Sequence, residues 1–297
     1  MVVLVTHTDL DGVACAVLVS SVEDVTEIRF TQPALVQKKL AEIPKGSIIT
    51  DLPWHHNAAK WFDHHASVHP PAKFEGSFVP NALSCARVIY DYYDNPFLEK
   101  FLELVEQTDL IDSAQISQVQ VENPSGYYLL SLSLDDAPTA AESFAYRRLV
   151  IELLKKKSIS GVLGDERVKK ACEHKLSVLK KAEQELPAFT RKQGAIVVVD
   201  LRAAPKWLEN AGGRWSVYIN NKDCVASIRL KKSSQEGHVD ISVGKNVFCK
   251  KEFSCDIGEL MKKIGGGGHG GAGGASVPAE KADEIVAMLL KEMNGTS

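Results

Sequence analysis

The 297-residue sequence lacks both a long apolar run and an excess of basic charge. No uninterrupted apolar stretch approaches the about 20 residues that a membrane helix needs, so we expect no membrane partner. Lysine and arginine total 35 against 38 aspartates and glutamates, whereas binding to long nucleic acid usually leaves a basic footprint. These absences argue against long duplex nucleic acid as a partner and favour a short anionic substrate.

Cysteine is also sparse, with six residues scattered along the chain and no C-x-x-C pair. A chain of this size with so few cysteines is unlike a disulfide-stabilised secreted scaffold. The opening MVVLVTHTDLDG has no basic start and soon reaches acidic residues, which is not the pattern of a secretory signal. We therefore expect reduced thiols and a cytoplasmic location.

Strands and helices alternate over the first part of the chain. The runs VVLVT, VTEIRFT, GSIITD and KWFD predict strands, and GVACAVLVSSV and LVQKKLAEI predict helices between them. This alternation favours parallel βαβ units, whose ligands bind beyond the carboxyl ends of the strands. We predict an α/β domain over 1–155 with a mainly parallel sheet flanked by helices.

The remainder of the chain changes character. Two helices are predicted at 139–157 and 165–186, followed by the β-rich runs AIVVVD, WSVYI, CVASIRL and VDISV. Helical patterns return around FSCDIGELMKKI and AEKADEIVAMLLKEM. We predict a helical connector over 156–190 and a smaller C-terminal α/β domain over 191–297.

Metal-binding side chains follow three of the predicted strands. They are His7-x-Asp9-x-Asp11-Gly12, Asp51 and the triplet Asp63-His64-His65. Alternate residues of an extended segment point the same way, so the donors of the first motif can converge. Carboxylates with imidazoles suit Mn²⁺ and related ions, whereas thiolates favour zinc or iron–sulfur clusters. Each motif alone also fits a solvated turn or a helix cap, but their occurrence at three strand ends favours a metal centre.

The order and spacing of these motifs are similar to a known family. THTDLDG, the aspartate of IITD and the triplet in FDHH resemble the first three motifs of the DHH phosphoesterase superfamily. In EQTDLID, Asp109 fits the fourth motif best, and Asp112 is the reserve candidate. The resemblance implies two metal ions per site, which are Mn²⁺ or alternatively Mg²⁺ or Co²⁺.

The resemblance also assigns roles to individual residues. One ion would be held by His7, Asp9 and Asp51, and the other by Asp11, Asp51, His64 and Asp109. Asp51 would therefore bridge the two ions. Catalytic roles would fall to Asp51, to His65 facing the phosphoryl oxygens, and to Asp63 holding the triplet in place.

The glycine run GGGGHGGAGG at 265–274 is the second informative segment. Glycine lets a backbone approach a ligand closely, and successive N–H groups can form an anion-binding nest; a flexible linker is the alternative. The run resembles the GGGH-x-x-A-A-G signature of the DHHA1 domain, with Gly273 in place of the second alanine. That resemblance implies substrate binding by Arg229, Gly266, Gly267, Gly268 and His269, with Arg229 gripping a phosphate or stacking on a base.

The paired DHH and DHHA1 resemblances imply a metal-dependent phosphodiesterase. Its expected reaction is hydrolysis of short oligonucleotides or linear dinucleotides to nucleoside monophosphates, by two-metal activation of water. Alternatives are a nucleotide 3′-phosphatase acting on pAp and a RecJ-like single-strand exonuclease. A non-enzymatic nucleotide sensor is disfavoured because the ligand set is complete. The sequence leaves the oligomeric state open, including a homodimer.

Overall fold

The computed structural model describes residues 2–66, 68, 70–134, 140–211 and 215–295. The chain divides into two compact units. Met1–Ile116 and Pro124–Lys175 form the first unit, and Ser117–Asn123 and Leu176–Ser297 form the second. The residues predicted as a connector, 156–190, are divided between the two units. No helix in the described part of the chain is long and apolar enough to cross a membrane.

The first unit is built on a five-stranded sheet in which every neighbouring pair is parallel, with the order β2-β1-β3-β4-β5. This confirms the predicted parallel α/β layer. The strands are β1 (Val2–Thr6), β2 (Val25–Phe30), β3 (Ser47–Thr50), β4 (Ala58–Asp63) and β5 (Gly76–Phe78).

Both units contain helices. In chain order they are α1 (Leu10–Val22), α2 (Pro33–Gln37), α3 (Cys85–Tyr93), α4 (Leu102–Asp112), α5 (Gln118–Glu122), α6 (Gly126–Ser133), α7 (Ala140–Leu154), α8 (Ile159–Leu163), α9 (Glu166–Glu185), α10 (Leu208–Ala211), α11 (Ser216–Ile219), α12 (Ile257–Lys262) and α13 (Ala282–Asn294). Short 3₁₀ turns lie at Pro96–Phe101, Leu186–Phe189 and Ala279–Lys281.

Helix α1 lies at the centre of the first unit, and all its residues from Leu10 to Val19 are buried. Helices α3, α4 and α7 pack around it. A helix surrounded in this way is apolar on all sides, which explains why GVACAVLVSSV shows no polar face. Its first turn, which contains Asp11 of the His7–Asp11 motif, is fixed in the core.

The predicted helix over LVQKKLAEI is wrong in most of its length. Helix α2 ends at Gln37, and Lys39 adopts a left-handed conformation with φ of 57° that interrupts the helix. Val36 in the helix and Ile43 beyond it pack with Trp61 of β4 in a small apolar cluster. Burial of these side chains on the sheet outweighs the helical propensity of the segment.

The second unit contains a six-stranded mixed sheet with the order β10-β11-β9-β8-β7-β6. Strands β7 and β8 are parallel, and the other pairs are antiparallel. Helices α12 and α13 cover one face and share an apolar core with it. The predicted second α/β fold is confirmed. The strands are β6 (Thr190–Gln193), β7 (Ile196–Asp200), β8 (Ala226–Lys232), β9 (His238–Lys245), β10 (Gly267–His269) and β11 (Ala272–Pro278).

The run WSVYI, predicted as a strand, instead forms the short helix α11. Tyr218 is buried there, and its hydroxyl lies 2.8 Å from Ser227 Oγ and 2.8 Å from the carbonyl oxygen of Gly244. These contacts with β8 and β9 satisfy the hydroxyl in the interior. Tertiary packing has therefore overridden the β propensity of the run.

Candidate metal centre

The turn after β1 brings His7 and Asp9 together at the start of α1. Asp9 Oδ1 accepts a hydrogen bond from the Gly12 N–H at 3.0 Å, so Asp9 caps the helix. His7 Nδ1 lies 2.8 Å from Asp9 Oδ2 and 3.3 Å from Asp51 Oδ2. A Cβ atom on Gly12 would lie 2.2 Å from the carbonyl oxygen of His7, so only glycine permits this turn.

Asp51 follows β3 and has a left-handed backbone with φ of 55°. Such strain in a buried non-glycine residue is typical of functional sites. The side chain is buried, and its Oδ2 atom has no hydrogen-bond partner among the described residues. Burial, together with the nearby charges of Asp11 and Asp9, raises the pKa of Asp51 well above its ordinary value.

The triplet after β4 is held by internal hydrogen bonds. Asp63 Oδ1 accepts hydrogen bonds from the backbone N–H groups of His64 at 2.8 Å and His65 at 3.3 Å, and from His65 Nδ1 at 2.7 Å. His64 Nδ1 donates to the carbonyl oxygen of Ala82 at 2.8 Å. This leaves the lone pair of His64 on Nε2, which is buried without a hydrogen-bond partner in the described part of the chain.

Asp11 anchors the start of α3. Its two carboxylate oxygens accept hydrogen bonds from the backbone N–H groups of Cys85 at 2.7 Å and Ala86 at 2.8 Å. Asp11 Oδ2 lies 3.7 Å from His64 Nε2. Burial, followed by the charge of Asp9, raises the pKa of Asp11 to about 7. The hydrogen bonds from Cys85 and Ala86 hold the Asp11 carboxyl group with Oδ2 directed toward the imidazole of His64.

The two aspartates of EQTDLID have different surroundings on α4. Asp112 Oδ2 lies 3.3 Å from His64 Nε2, and burial with the charge of Asp11 raises the pKa of Asp112 to about 7. Asp109 accepts hydrogen bonds from Ser84 Oγ at 2.6 Å and from Arg87 at 2.7 and 2.9 Å. The structure thus brings Asp112 to His64, whereas the carboxylate of Asp109 is committed to Ser84 and Arg87.

The donor atoms form three overlapping groups, and within each group they lie within 4.8 Å of one another. We name their seven residues the strand-end cluster. The groups are His7 with Asp9 and Asp51, Asp51 with His64 and His65, and Asp11 with His64 and Asp112.

The strand-end cluster fits divalent cations by its chemistry. It offers carboxylate oxygens and imidazole nitrogens, the donor set of Mn²⁺ and Mg²⁺ sites, and none of its members is a thiol. Two of its buried polar atoms, Asp51 Oδ2 and His64 Nε2, lack hydrogen-bond partners among the described residues, although unsatisfied buried atoms are costly. Burial, followed by the charges of neighbouring carboxylates, raises the pKa values of Asp11, Asp51 and Asp112, and a cation would offset both effects.

Sequence reasoning missed the side chains that hydrogen-bond to His7 and Thr8 in the loop after β1. Gln32 Oε1 lies 3.2 Å from His7 Nε2, and Gln32 Nε2 donates to Thr8 Oγ1 at 2.5 Å. Arg147 on α7 is buried, and its Nε donates to the carbonyl oxygen of Thr8. These partners come from distant parts of the chain, and no local motif marks them.

Of the predicted substrate-binding residues in the second unit, Arg229 lies in β8. The neighbouring Ile228 and Leu230 belong to the apolar core, so Arg229 points from the opposite face of the sheet. The side chain is partly buried, and burial lowers the pKa of the guanidinium from its ordinary value. Arg229 lies opposite Ser242 on β9 and opposite Val199 on β7.

The glycine run forms the β10–β11 hairpin, which we name the glycine hairpin (266–274). Gly268 has φ of 154°, and a Cβ atom there would lie 2.3 Å from the carbonyl oxygen of Ala272. A Cβ atom on Gly266 would lie 2.3 Å from the carbonyl oxygen of Gly274. Strand pairing therefore requires glycine at both positions. In contrast, a Cβ atom on Gly267 would meet nothing within 4 Å.

His269 ends β10 at the tip of the glycine hairpin. Its Nδ1 atom accepts a hydrogen bond from the Gly271 N–H at 3.1 Å, and the side chain is exposed. The ring is therefore oriented by its own hairpin, with Nε2 left as the outward donor.

No protein-family model matches the sequence, and no curated protein matches it. Solved structures do match. A pGpG-specific phosphodiesterase, PggH from Vibrio cholerae, is 29% identical over 100% of both chains, with a TM-score of 0.80. An exopolyphosphatase-related protein from Bacteroides fragilis is 12% identical over 99% of this chain and 92% of that one, with a TM-score of 0.57.

RecJ from Thermus thermophilus, in complex with Mn²⁺, is 11% identical over 98% of this chain and 52% of its own, with a TM-score of 0.56. This chain thus spans about half the length of that RecJ. At 11% and 12% identity, the likenesses to RecJ and to the exopolyphosphatase-related protein show the fold alone. The likeness to PggH extends along the whole chain at a higher identity. Together with the fold and the order of the motifs, it supports a metal-dependent phosphodiesterase of the DHH/DHHA1 type.

Proposed function

We propose that this protein hydrolyses linear dinucleotides and very short oligonucleotides to nucleoside monophosphates at the strand-end cluster, with two divalent cations. The single observation that carries the proposal is the convergence of four carboxylates and three imidazoles at the carboxyl ends of β1, β3 and β4 and the end of α4. Such a set binds cations and leaves the substrate to supply the remaining ligands.

The ligand sets follow from the overlapping groups. His7, Asp9 and Asp51 would hold one cation, and Asp11, Asp51, His64 and Asp112 the other. This assignment places Asp112 where the sequence favoured Asp109, because Asp109 is bound by Arg87 and Ser84. Two Mn²⁺ or Mg²⁺ ions held by these residues would supply Lewis-acid stabilisation of phosphoryl oxygens and would lower the pKa of water.

The remaining catalytic work falls to His65 and Asp63. The hydrogen bond that His65 Nδ1 donates to Asp63 raises the pKa of His65, despite the opposing effect of burial, and so favours the protonated ring. With Nδ1 donating to Asp63, Nε2 is left to donate a hydrogen bond to a phosphoryl oxygen. The His65 side chain is 45% exposed, so a substrate can reach it. Asp63 itself is fully buried and acts by orienting His65.

The substrate class is supported by two separate features. The likeness to a pGpG-specific phosphodiesterase runs the full length of the chain. In addition, Arg229 and the glycine hairpin of the second unit resemble the DHHA1 substrate elements, and a guanidinium is suited to a phosphate or a base. A linear dinucleotide offers both groups.

The test is hydrolysis of an end-labelled RNA ladder from dinucleotide to about 20-mer, with pGpG and pAp in parallel, in the presence of Mn²⁺. The Asp51→Asn variant, purified in the same way, controls for contaminating nucleases. We expect rapid cleavage of two- to five-mers to monophosphates and little shortening of the 20-mer.

Two other outcomes would replace this proposal. Release of phosphate from pAp with intact dinucleotides would identify a 3′-phosphatase. Efficient shortening of the 20-mer would identify a RecJ-like exonuclease. Absence of metal-dependent hydrolysis of any of these substrates, with the protein folded and Mn²⁺ bound, would contradict the proposed reaction.

A further inference from the structure

Gln32 is the N-cap residue of α2, but its side chain makes no capping hydrogen bond to that helix. The N-cap position usually holds serine, threonine, aspartate or asparagine, whose short side chains bond to the first turn. The Gln32 amide turns instead toward the loop after β1, where it contacts His7 and Thr8. Its position is therefore not explained by helix capping.

The two ends of the amide have different partners. Gln32 Nε2 donates to Thr8 Oγ1 at 2.5 Å, and this contact orients the amide oxygen toward His7 Nε2 at 3.2 Å. Thr8 is itself held, because Arg147 donates to its carbonyl oxygen. The amide oxygen can only accept, so it pairs with an N–H on Nε2 of His7.

The opposite nitrogen of His7 faces the cation site. Nδ1 lies 2.8 Å from Asp9 Oδ2 and 3.3 Å from Asp51 Oδ2. A histidine binds a metal through one nitrogen while the other donates to an oxygen acceptor, which fixes both the tautomer and the ring plane. The Gln32 oxygen has the position of that acceptor.

We propose that Gln32 is a positioning residue for the metal centre, holding His7 with its Nδ1 lone pair directed at the cation shared with Asp9 and Asp51. The inference rests on the metal centre proposed above. Partners of this kind typically change metal affinity by about 10- to 100-fold. Gln32 is exposed, so its replacement leaves the apolar core intact and the effect can be separated from unfolding.

The experiment measures Mn²⁺ binding to metal-free protein by isothermal titration calorimetry, without substrate, and follows the free Mn²⁺ signal by electron paramagnetic resonance. Gln32→Leu removes both contacts, whereas Gln32→Glu keeps an oxygen acceptor for His7. Gln37→Leu, an exposed change at the other end of α2, is the matched control. We expect roughly tenfold weaker Mn²⁺ binding for Gln32→Leu and near-normal binding for Gln32→Glu and Gln37→Leu.

A double-mutant cycle separates positioning from a general structural effect. In the His7→Ala background, Gln32→Leu should cause no further loss of Mn²⁺ affinity, because the residue through which it acts is gone. Wild-type Mn²⁺ affinity in Gln32→Leu, or an equal loss with and without His7, would overturn the inference. A wild type that binds Mn²⁺ but hydrolyses no nucleotide would contradict the proposed function and leave this inference standing.

Discussion

The strand-end cluster of the first unit and the glycine hairpin of the second differ in how completely their polar groups are satisfied. In the strand-end cluster, buried atoms of Asp51 and His64 lack hydrogen-bond partners among the described residues, and carboxylates are crowded together. In the glycine hairpin, strand pairing satisfies the backbone, and His269 accepts a hydrogen bond from Gly271 within the turn. The first region contains buried polar atoms that a cation would satisfy, whereas the polar groups of the second are satisfied within the fold.

This difference decides how strongly each region supports a function. In the strand-end cluster, the strained backbone of Asp51, the unsatisfied buried atoms and the neighbouring carboxylates together indicate a cation as the ligand. The glycines, in contrast, are explained largely by packing, because a Cβ atom on Gly273 would lie 2.7 Å from the carbonyl oxygen of Gly267 and 2.8 Å from Met261 Cγ. A substrate role for the glycine hairpin therefore rests on the resemblance to DHHA1 domains.

The largest expected effect comes from Asp51→Asn. Asparagine tolerates the left-handed backbone of this position, so the fold should persist while a ligand common to both proposed cation sites loses its charge. We expect at least roughly a 1,000-fold fall in kcat with saturating Mn²⁺, about 4 kcal/mol of transition-state stabilisation. The measurement is steady-state hydrolysis of pGpG, with circular dichroism as the folding control. Activity within tenfold of wild type would remove Asp51 from the centre.

Asp112→Asn and Asp109→Asn form a matched pair on α4. The first should weaken Mn²⁺ binding by roughly 10- to 100-fold and leave stability nearly unchanged. The second should leave Mn²⁺ affinity within about threefold and lower the free energy of unfolding by about 1–3 kcal/mol, because it weakens the hydrogen bonds from Arg87 and Ser84. Calorimetry and urea denaturation of both variants separate these effects. The reverse pattern would restore Asp109 as the ligand.

Gly273→Ala and Gly267→Ala test whether the glycine hairpin is there for packing or for substrate. Alanine at 273 restores the residue of the DHHA1 signature but collides with Gly267 and Met261, so we expect a loss of about 1–3 kcal/mol in unfolding free energy. Alanine at 267 meets open space and should be neutral for stability. If Gly267→Ala nevertheless raises the KM for pGpG, substrate approaches that backbone. Equal destabilisation by both variants would contradict the packing account.

Arg229→Ala should separate substrate binding from metal binding. We expect the KM for pGpG to rise by roughly tenfold or more, since a charge-assisted hydrogen bond to a phosphate contributes about 1.5–3 kcal/mol. Mn²⁺ affinity should be unchanged, because Arg229 belongs to the second unit and the strand-end cluster to the first. Kinetics and calorimetry on the same preparation give both numbers. Loss of Mn²⁺ binding would show that the two regions do not divide these tasks.

The smallest expected effect is a shift of a few degrees in Tm with pH. The carboxyls of Asp11 and Asp112 have a pKa of about 7 in the folded metal-free protein, above the about 4 of an unfolded chain. Between pH values of about 4 and about 7 the folded state binds more protons than the unfolded state, so the free energy of unfolding should fall as the pH rises to about 7. Thermal unfolding at pH 5.5 and 8 with EDTA measures this, and Mn²⁺ should stabilise the protein more at pH 8. A metal-free protein that becomes more stable toward pH 8 would contradict the crowding of charge.

The sequence predicted the parallel sheet and the donors at its strand ends, because alternation of strands and helices is local and the motifs sit directly after strands. It could not separate Asp109 from Asp112, since the two lie three residues apart on α4 and differ in their contacts with Arg87, Ser84 and His64, which only the folded chain brings near them. Gln32 was missed because its contacts with His7 depend on two strands lying side by side. The strand predicted for WSVYI was wrong because Tyr218 gains its hydrogen bonds only from the assembled sheet.

The most direct test of the central claim is anomalous diffraction from crystals of the protein grown with Mn²⁺. The account predicts two manganese peaks per chain, one contacting His7, Asp9 and Asp51 and the other contacting Asp11, Asp51, His64 and Asp112. A single peak, a peak on Asp109, or no peak within the strand-end cluster would contradict it.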